Sequence, residues 1–131
     1  MILDGKGLVD VLRSQVSEID CTEMNLRLKS DENLLFIDIR EAKETEQGYP
    51  SESELVPRGV LEMQLTNLPK YKTLSKALVS TAQLPIYLIC RSGARSVLAA
   101  ASLQQMGYLN VHSVSGGFLA WQALGLETKR D

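Results

Sequence analysis

Two short apolar runs, residues 34–39 and 86–89, constrain the fold more than any other feature of the chain. The first reads Leu-Leu-Phe-Ile-Asp-Ile and the second reads Ile-Tyr-Leu-Ile. Runs that lack polar alternation are typical of parallel strands that are covered on both faces. Parallel strands need helical crossovers, and helical patterns alternate with these runs along the chain. We therefore expect an α/β fold around a central parallel sheet.

The remaining segments complete this pattern. Besides the two runs, short strands are predicted at residues 19–21, 55–56 and 111–114. Helices are predicted at residues 8–17, 23–29 with Thr22 as the N-cap, 58–65, 73–81, 94–106 and 118–124. Residues 41–57 are expected to form a short helix and an irregular loop, and residues 68–72 a second loop.

Length and charge limit the classes of function. The 131 residues, 44% of them hydrophobic, suffice for one domain, which we place at residues 19–131 after a helical extension at residues 1–18. A formal charge of −2 gives no reason to expect nucleic acid or an anionic membrane as a partner. No stretch approaches the roughly 20 apolar residues of a membrane span, and the first residues lack a basic leader, so we expect a cytoplasmic protein.

The cysteines and the single histidine exclude a metal site. In a reducing compartment, Cys21 and Cys90 are expected to be free thiols rather than a disulfide. His112 is the only histidine, and no second cysteine lies near either thiol, so no metal-ligand spacing exists. We expect His112 and the single tryptophan, Trp121, to be structural, and nothing in the spacing places Cys21 near Cys90.

Cys90 stands where the second apolar run ends and a helix of small residues begins. The unpaired N–H groups and the dipole at a helix N-terminus favour an anion, and the thiolate is the reactive form of cysteine. Ligands of open α/β sheets bind beyond the carboxyl ends of strands, which is where Cys90 falls. A buried structural cysteine is the alternative, but the charges of Arg91 and Arg95 do not suit an apolar slot. Gly93 allows a tight turn around the sulfur, and Arg95 either closes the loop or holds an anion.

Four segments together resemble the rhodanese-like sulfurtransferases in their compact single-domain form. The loop Cys90-Arg91-Ser92-Gly93-Ala94-Arg95-Ser96 resembles their active-site loop. Residues 36–41 resemble the early strand that ends in Asp-x-Arg-Glu, and residues 116–121 resemble the late Gly-Gly-x-x-x-Trp turn and helix. Residues 57–62 resemble a segment of a bacterial subgroup that also carries an extra N-terminal helix. One stretch departs from the family, which usually has Gly-His-Ile-Pro-Gly-Ala where this chain has Gly48-Tyr49-Pro50-Ser51-Glu52-Ser53.

The resemblance implies a fold and a reaction. The fold is a rhodanese-like domain with about five short parallel strands, helices on both faces and an extra N-terminal helix. In the reaction, the Cys90 thiolate takes the outer sulfur of thiosulfate, or of a protein or small-molecule persulfide, and becomes a persulfide. A thiol or cyanide then removes that sulfur. The loop N–H groups stabilise both sulfur species, and neither a cofactor nor a general base is required.

The resemblance also assigns supporting residues. Six residues form the substrate-binding loop: Arg91, Ser92, Gly93, Ala94, Arg95 and Ser96. Asp38 and Arg40 are expected to pair with each other; a buried structural ion pair is the favoured role, and a supporting role beside the site is the alternative. Arg58 is placed either at the pocket mouth or on a surface helix. The charge of Arg91 either draws anionic donors or is simply solvated.

Two other functions use a similar loop. A cysteine phosphatase or arsenate reductase would share the thiolate and the anion cradle, but phosphatase loops run Cys-x-x-x-x-x-Arg, and the interval from Cys90 to Arg95 is one residue shorter. The chain also has no histidine before Cys90 and no clear general acid. A rhodanese-like binding or sensing module with little turnover is the second alternative, and kinetics would distinguish it.

Overall fold

The computed structural model, which describes residues 1–131, contains seven strands and seven helices. The strands are β1 (Ser17–Asp20), β2 (Leu35–Asp38), β3 (Tyr49–Pro50), β4 (Glu54–Leu55), β5 (Ile86–Ile89), β6 (Val111–Ser115) and β7 (Thr128–Lys129). The helices are α1 (Gly5–Arg13), α2 (Cys21–Ser30), α3 (Ala42–Thr45), α4 (Leu61–Gln64), α5 (Pro69–Lys76), α6 (Ala94–Gln105) and α7 (Gly117–Ala123). Short 3-10 turns occupy Arg58–Val60, Leu65–Asn67 and Thr81–Gln83.

Five of the strands form one parallel sheet in the order β1-β6-β5-β2-β4. The two apolar runs lie side by side at its centre, where Leu35 is opposite Ile86 and Asp38 is opposite Ile89. Every residue of β2 and β5 is buried, as expected for strands covered on both faces. The predicted α/β fold with a central parallel sheet of five short strands is confirmed.

The sheet separates two hydrophobic clusters. The larger contains the inward side chains of α1, α4, α5 and α6, together with Leu35, Ile37 and Cys90. The smaller contains those of α2 and α7, together with Phe36, Ile89 and Cys21. Helices therefore cover both faces, and the two cysteines belong to different clusters.

The N-terminal helix α1 runs alongside α6 in the same direction. Val9 belongs to the same cluster as Val97 of α6, and the Gln104 side chain donates to the Gln15 carbonyl at the far end of the pair, at 3.2 Å. Asp4 caps α1 by accepting from the Gly7 N–H at 2.7 Å. The helix N-termini of α1 and α6 thus lie at the same edge of the sheet.

Two predicted helix boundaries near the N-terminus were wrong. The first helix ends at Arg13 rather than near residue 17, because residues 17–20 pair with β6 as strand β1. The second helix begins at Cys21, and its N-cap is Asp20 rather than Thr22. The Asp20 carboxylate accepts from the Glu23 N–H at 2.8 Å, which satisfies one of the free donors of the first turn.

The middle of the chain also differs from expectation. Residues 68–72 are not a loop, because α5 begins at Pro69, and proline suits the first turn of a helix. That helix ends at Lys76 instead of continuing to residue 81. The stretch expected to be irregular contains β3, which pairs antiparallel with β7, a strand that was not predicted. None of the helices is both long and apolar enough to cross a membrane.

Candidate active site

Cys90 lies between the end of β5 and the start of α6, at the carboxyl edge of the sheet. Its sulfur accepts hydrogen bonds from the main-chain N–H groups of Gly93, at 3.2 Å, and Ser96, at 3.4 Å. Gly93 has a φ of +102°, a conformation that glycine adopts without strain and that turns the loop around the sulfur. Negative charge on the sulfur is therefore stabilised by the main chain itself.

Ser96 adds a hydroxyl to this cradle. Its Oγ lies 3.4 Å from the Cys90 sulfur and 3.2 Å from the Gly93 carbonyl oxygen. It also contacts the hydroxyl of Ser113 on β6, at 2.7 Å. All these groups are buried, and Cys90 exposes only 1% of its surface, so the sulfur is almost fully enclosed.

The Gly116-Gly117 turn holds the other side of the loop. The N–H groups of Phe118 and Leu119 donate to the carbonyl oxygens of Cys90, at 2.8 Å, and Arg91, at 3.1 Å. Gly117 has a φ of +58°, and a Cβ there would collide with both carbonyl groups. The start of α7 therefore fixes the backbone of the loop, a role that the Gly-Gly motif alone did not reveal.

Arg95 joins the loop to α3 through an ion pair that sequence reasoning missed. Its guanidinium donates to both carboxylate oxygens of Glu44 on α3, at 2.7 and 2.8 Å. The hydrogen bond from Arg95 is the main reason that the pKa of Glu44 falls to about 2. The Glu44 carboxylate also accepts from the Glu41 N–H in the capping box of α3, which is the only sequence signal for this residue. The Arg95 side chain therefore ties the loop to α3.

Two of the remaining loop side chains lie toward solvent. Arg91 and Ser92 are exposed, and Arg91 takes part in none of the ion pairs of the protein. Ala94 is partly buried and packs against the larger cluster. Arg91 is therefore an uncompensated positive charge on the active-site loop.

Asp38 and Arg40 form a buried ion pair at the end of β2. The guanidinium donates to both carboxylate oxygens, with the shortest contact at 2.8 Å, and also to the Gly48 carbonyl oxygen at 2.8 Å. It lies 3.9 Å from the centre of the Phe118 ring on α7. The pair thus joins β2 to the segment after α3 and to the helix that fixes the Cys90 loop, without a hydrogen bond to that loop.

Arg58, in the 3-10 turn before α4, pairs with Glu62 of that helix. Its guanidinium donates to both carboxylate oxygens of Glu62, at 2.9 and 3.0 Å, and Glu62 accepts from the Ser102 hydroxyl of α6 at 2.6 Å. The Arg58 side chain forms no hydrogen bond or ion pair with residues 90–96, but its main-chain N–H donates to the Ile39 carbonyl oxygen at 2.9 Å, between Asp38 and Arg40.

The second thiol and the single histidine lie outside the cradle. The Cys21 sulfur is 3.4 Å from the Gly117 carbonyl oxygen, and burial, with a smaller effect of Asp20, raises the pKa of this thiol to about 11. His112 lies at the opposite end of the sheet, where it stacks on Tyr87. Both cysteines are free.

One surface groove reaches the active-site loop. It has a volume of about 390 Å³ and lies between α1 and α6, where Gly5 and Lys6 face Ala94 and Arg95. The extra N-terminal helix therefore forms a wall of the surface beside the loop.

The fold and the loop together define a class of α/β proteins that carry a cysteine between the end of a strand and the N-terminus of a helix. Comparison with known proteins narrows this class. The model of the rhodanese-like domain family matches residues 21–124, and the chain belongs to that family. The predicted family is thereby confirmed.

Individual relatives agree with this assignment. A sulfurtransferase of Allochromatium vinosum is 33% identical over 111 residues, which cover 85% of this chain and 92% of the relative. Thiosulfate sulfurtransferase 18 of Arabidopsis thaliana is 28% identical over 115 residues, covering 82% of this chain and 79% of the relative. A solved structure from Rhodopseudomonas palustris, described as a protein of unknown function and a possible tyrosine phosphatase, superposes with a TM-score of 0.82 at 26% identity. It covers 98% of this chain and 96% of its own. The names of the two sequence relatives support a sulfurtransferase of the rhodanese type.

Proposed function

We propose that this protein is a sulfurtransferase that carries a sulfane sulfur as a persulfide on Cys90. The observation that carries the proposal is the cradle of main-chain N–H groups from Gly93 and Ser96 around a buried free thiol. The sequence relatives that are named sulfurtransferases support it.

The proposed reaction has two balanced steps. In the first, the Cys90 thiolate attacks the outer sulfur of thiosulfate; the S–S bond of the donor breaks, sulfite leaves with its electron pair, and a cysteine persulfide forms. In the second, a thiolate or cyanide attacks the terminal sulfur of the persulfide. The S–S bond to Cys90 breaks, and the Cys90 thiolate returns as the leaving group. No electrons are left over, so neither a cofactor nor an oxidant is needed.

The loop serves both steps with the same groups. The N–H groups that solvate the Cys90 sulfur stabilise the attacking thiolate and the departing one. The first turn of α6 has further N–H groups without helical partners, and such groups favour the negative charge of an added outer sulfur. The exposed charge of Arg91 draws an anionic donor, either thiosulfate or a persulfide carried by another protein.

Thiol and cyanide acceptors complete the proposed set of partners, and two free cysteines suit a reducing, cytoplasmic location.

The same geometry weakens the case for a phosphatase, although one structural neighbour is described as a possible tyrosine phosphatase. In a Cys-x-x-x-x-x-Arg loop the arginine would stand at position 96, where this chain has a buried serine that contacts the sulfur. Both terminal nitrogens of the Arg95 guanidinium donate to Glu44, so a phosphate would have to compete with this ion pair.

The experiment that tests the proposal is mass spectrometry of the purified protein after incubation with thiosulfate. We expect the mass of one sulfur to be added at Cys90, and thiocyanate to be released when cyanide follows. Cys90→Ser should do neither, and the matched control Cys21→Ser should do both.

Three results would count against the proposal. Folded protein that gains no sulfur from thiosulfate or from any persulfide donor would contradict it. Sulfur loading without release to any acceptor would favour the binding or sensing module. Hydrolysis of an aryl phosphate at a comparable rate would favour the phosphatase.

A further inference from the structure

Two buried hydroxyl groups, those of Ser96 and Ser113, form a chain of contacts that ends at the Cys90 sulfur. Ser113 is in the middle of β6, is fully buried, and has its Oγ 2.7 Å from the Oγ of Ser96. This contact is the only hydrogen bond of the Ser113 side chain. Ser96, in turn, reaches the Gly93 carbonyl oxygen and the Cys90 sulfur.

The number of protons and acceptors fixes the direction of the hydrogen bond between the two serines. A serine hydroxyl donates one hydrogen bond and accepts up to two. If Ser96 donated to Ser113, the proton of Ser113 would be buried without an acceptor, which is costly. Ser113 therefore donates to Ser96. The proton of Ser96 is then left for the Gly93 carbonyl oxygen or for the sulfur.

The state of Cys90 decides between these two acceptors. A neutral thiol donates to the Ser96 oxygen, and the Ser96 proton then points to the Gly93 carbonyl. A thiolate has no proton to donate and accepts one instead, so the Ser96 hydroxyl turns to the sulfur. In both states Ser113 keeps donating to Ser96, which places the Ser96 oxygen and strengthens its O–H as a donor.

We propose that Ser113 is a positioning residue for sulfur transfer, which fixes the Ser96 hydroxyl as a hydrogen-bond donor to the Cys90 sulfur. The proposal rests on the proposed function, because the donor is needed when the sulfur carries charge. Its effect is greatest in the second step. There the S–S bond breaks, and negative charge develops on the departing Cys90 sulfur beside the Ser96 hydroxyl.

The test is a double-mutant cycle on the rate at which the Cys90 persulfide gives its sulfur to a thiol acceptor. We expect Ser113→Ala to slow this step about threefold to tenfold, the range that one neutral hydrogen bond is worth, with KM for the acceptor unchanged. In the Ser96→Ala background the same substitution should have no further effect. Ser113→Thr, which keeps the hydroxyl on a strand that favours β-branched residues, should restore the rate.

The matched control is Ser115→Ala. Ser115 lies on the same strand as Ser113, but its hydroxyl donates to the Ile19 carbonyl oxygen of β1. It should transfer sulfur at the wild-type rate, and melting temperatures of all variants establish that they are folded. Folded Ser113→Ala protein with the wild-type rate, or a loss that is equally large in the Ser96→Ala background, would overturn the proposal. If wild-type protein formed no persulfide, the proposed function would fail. In that case, the same double-mutant cycle on the rate of iodoacetamide alkylation of Cys90 would still measure the coupling between Ser113 and Ser96. Additive effects of the two substitutions would overturn the proposal.

Discussion

Substitution of Gly117 by alanine tests whether the start of α7 fixes the active-site loop. Gly117 has a left-handed backbone, with a φ of +58°, and the added Cβ would meet the carbonyl groups of Cys90 and Arg91. These are the groups that accept hydrogen bonds from Phe118 and Leu119. The substitution therefore strains the turn and also pushes it away from the loop that carries Cys90.

The backbone strain and the steric contact each have an expected cost in unfolding free energy. A left-handed conformation costs a residue with a side chain roughly 1–2 kcal/mol. Forcing an extra carbon into a packed site costs about 1–3 kcal/mol. We therefore expect Gly117→Ala to lose about 2–5 kcal/mol of unfolding free energy. Because the Cys90 and Arg91 carbonyls must move, sulfur loading should fall by at least about tenfold, as a shift of about 1.4 kcal/mol would give.

Gly125 offers a matched control. It has nearly the same backbone, with a φ of +67°, but nothing lies within 4 Å of the position that a Cβ would take. Gly125→Ala should lose only the conformational cost of about 1–2 kcal/mol and should load sulfur at the wild-type rate. Urea unfolding gives the stabilities, and the mass gain after thiosulfate gives the loading rate. Equal losses of stability in the two variants, with sulfur loading unchanged in both, would refute the contact between turn and loop.

Three further predictions concern charges and the second thiol. The depressed pKa of Glu44, about 2 against an unfolded value near 4.5, stabilises the fold above pH 4.5, and this contribution is lost as the pH falls toward 2. In the wild-type protein this loss of unfolding free energy should be about 1 kcal/mol after solvent screening, and Glu44→Gln should not show it. A pH profile of Glu44→Gln equal to that of the wild-type protein would contradict the ion pair with Arg95. Arg40→Met leaves a buried carboxylate unpaired and should cost about 3–5 kcal/mol in urea unfolding, whereas a loss under about 1 kcal/mol would show that the pair is not buried. Because the pKa of Cys21 is about 11, iodoacetamide at pH 8 should label Cys90 and leave Cys21 unlabelled until urea is added, and equal labelling of both in the folded protein would be the opposite result.

The sequence predicted the parts of the fold that depend on strong local patterns. The apolar runs at residues 34–39 and 86–89 identified the central strands, because strands buried on both faces cannot alternate. Weaker patterns failed where a distant partner decides the structure. β3 and β7 have only two residues each and exist through pairing between segments far apart in sequence. Residues 68–72 were predicted to be a loop, whereas Pro69 begins α5.

In the candidate site too, local sequence patterns predicted some residues, whereas contacts between distant segments were not predicted. Cys90 and its loop were predicted because a strand, a thiol and a helix follow one another directly in the sequence. The partner of Arg95 was missed because Glu44 is 51 residues away, and only the packing of α3 against the loop brings them together. Ser113 was also missed, because a serine in a buried strand has no sequence pattern that marks it as a partner of Ser96.

The central claim is that Cys90 carries the transferred sulfur. Intact-protein and peptide mass spectrometry after thiosulfate, with cyanide added in a second step, tests this most directly. The proposed reaction predicts one added sulfur on the peptide that contains Cys90, its disappearance with cyanide as thiocyanate forms, and no gain in Cys90→Ser. Sulfur found on Cys21 instead, or no gain at all in folded wild-type protein with thiosulfate and with persulfide donors, would contradict it.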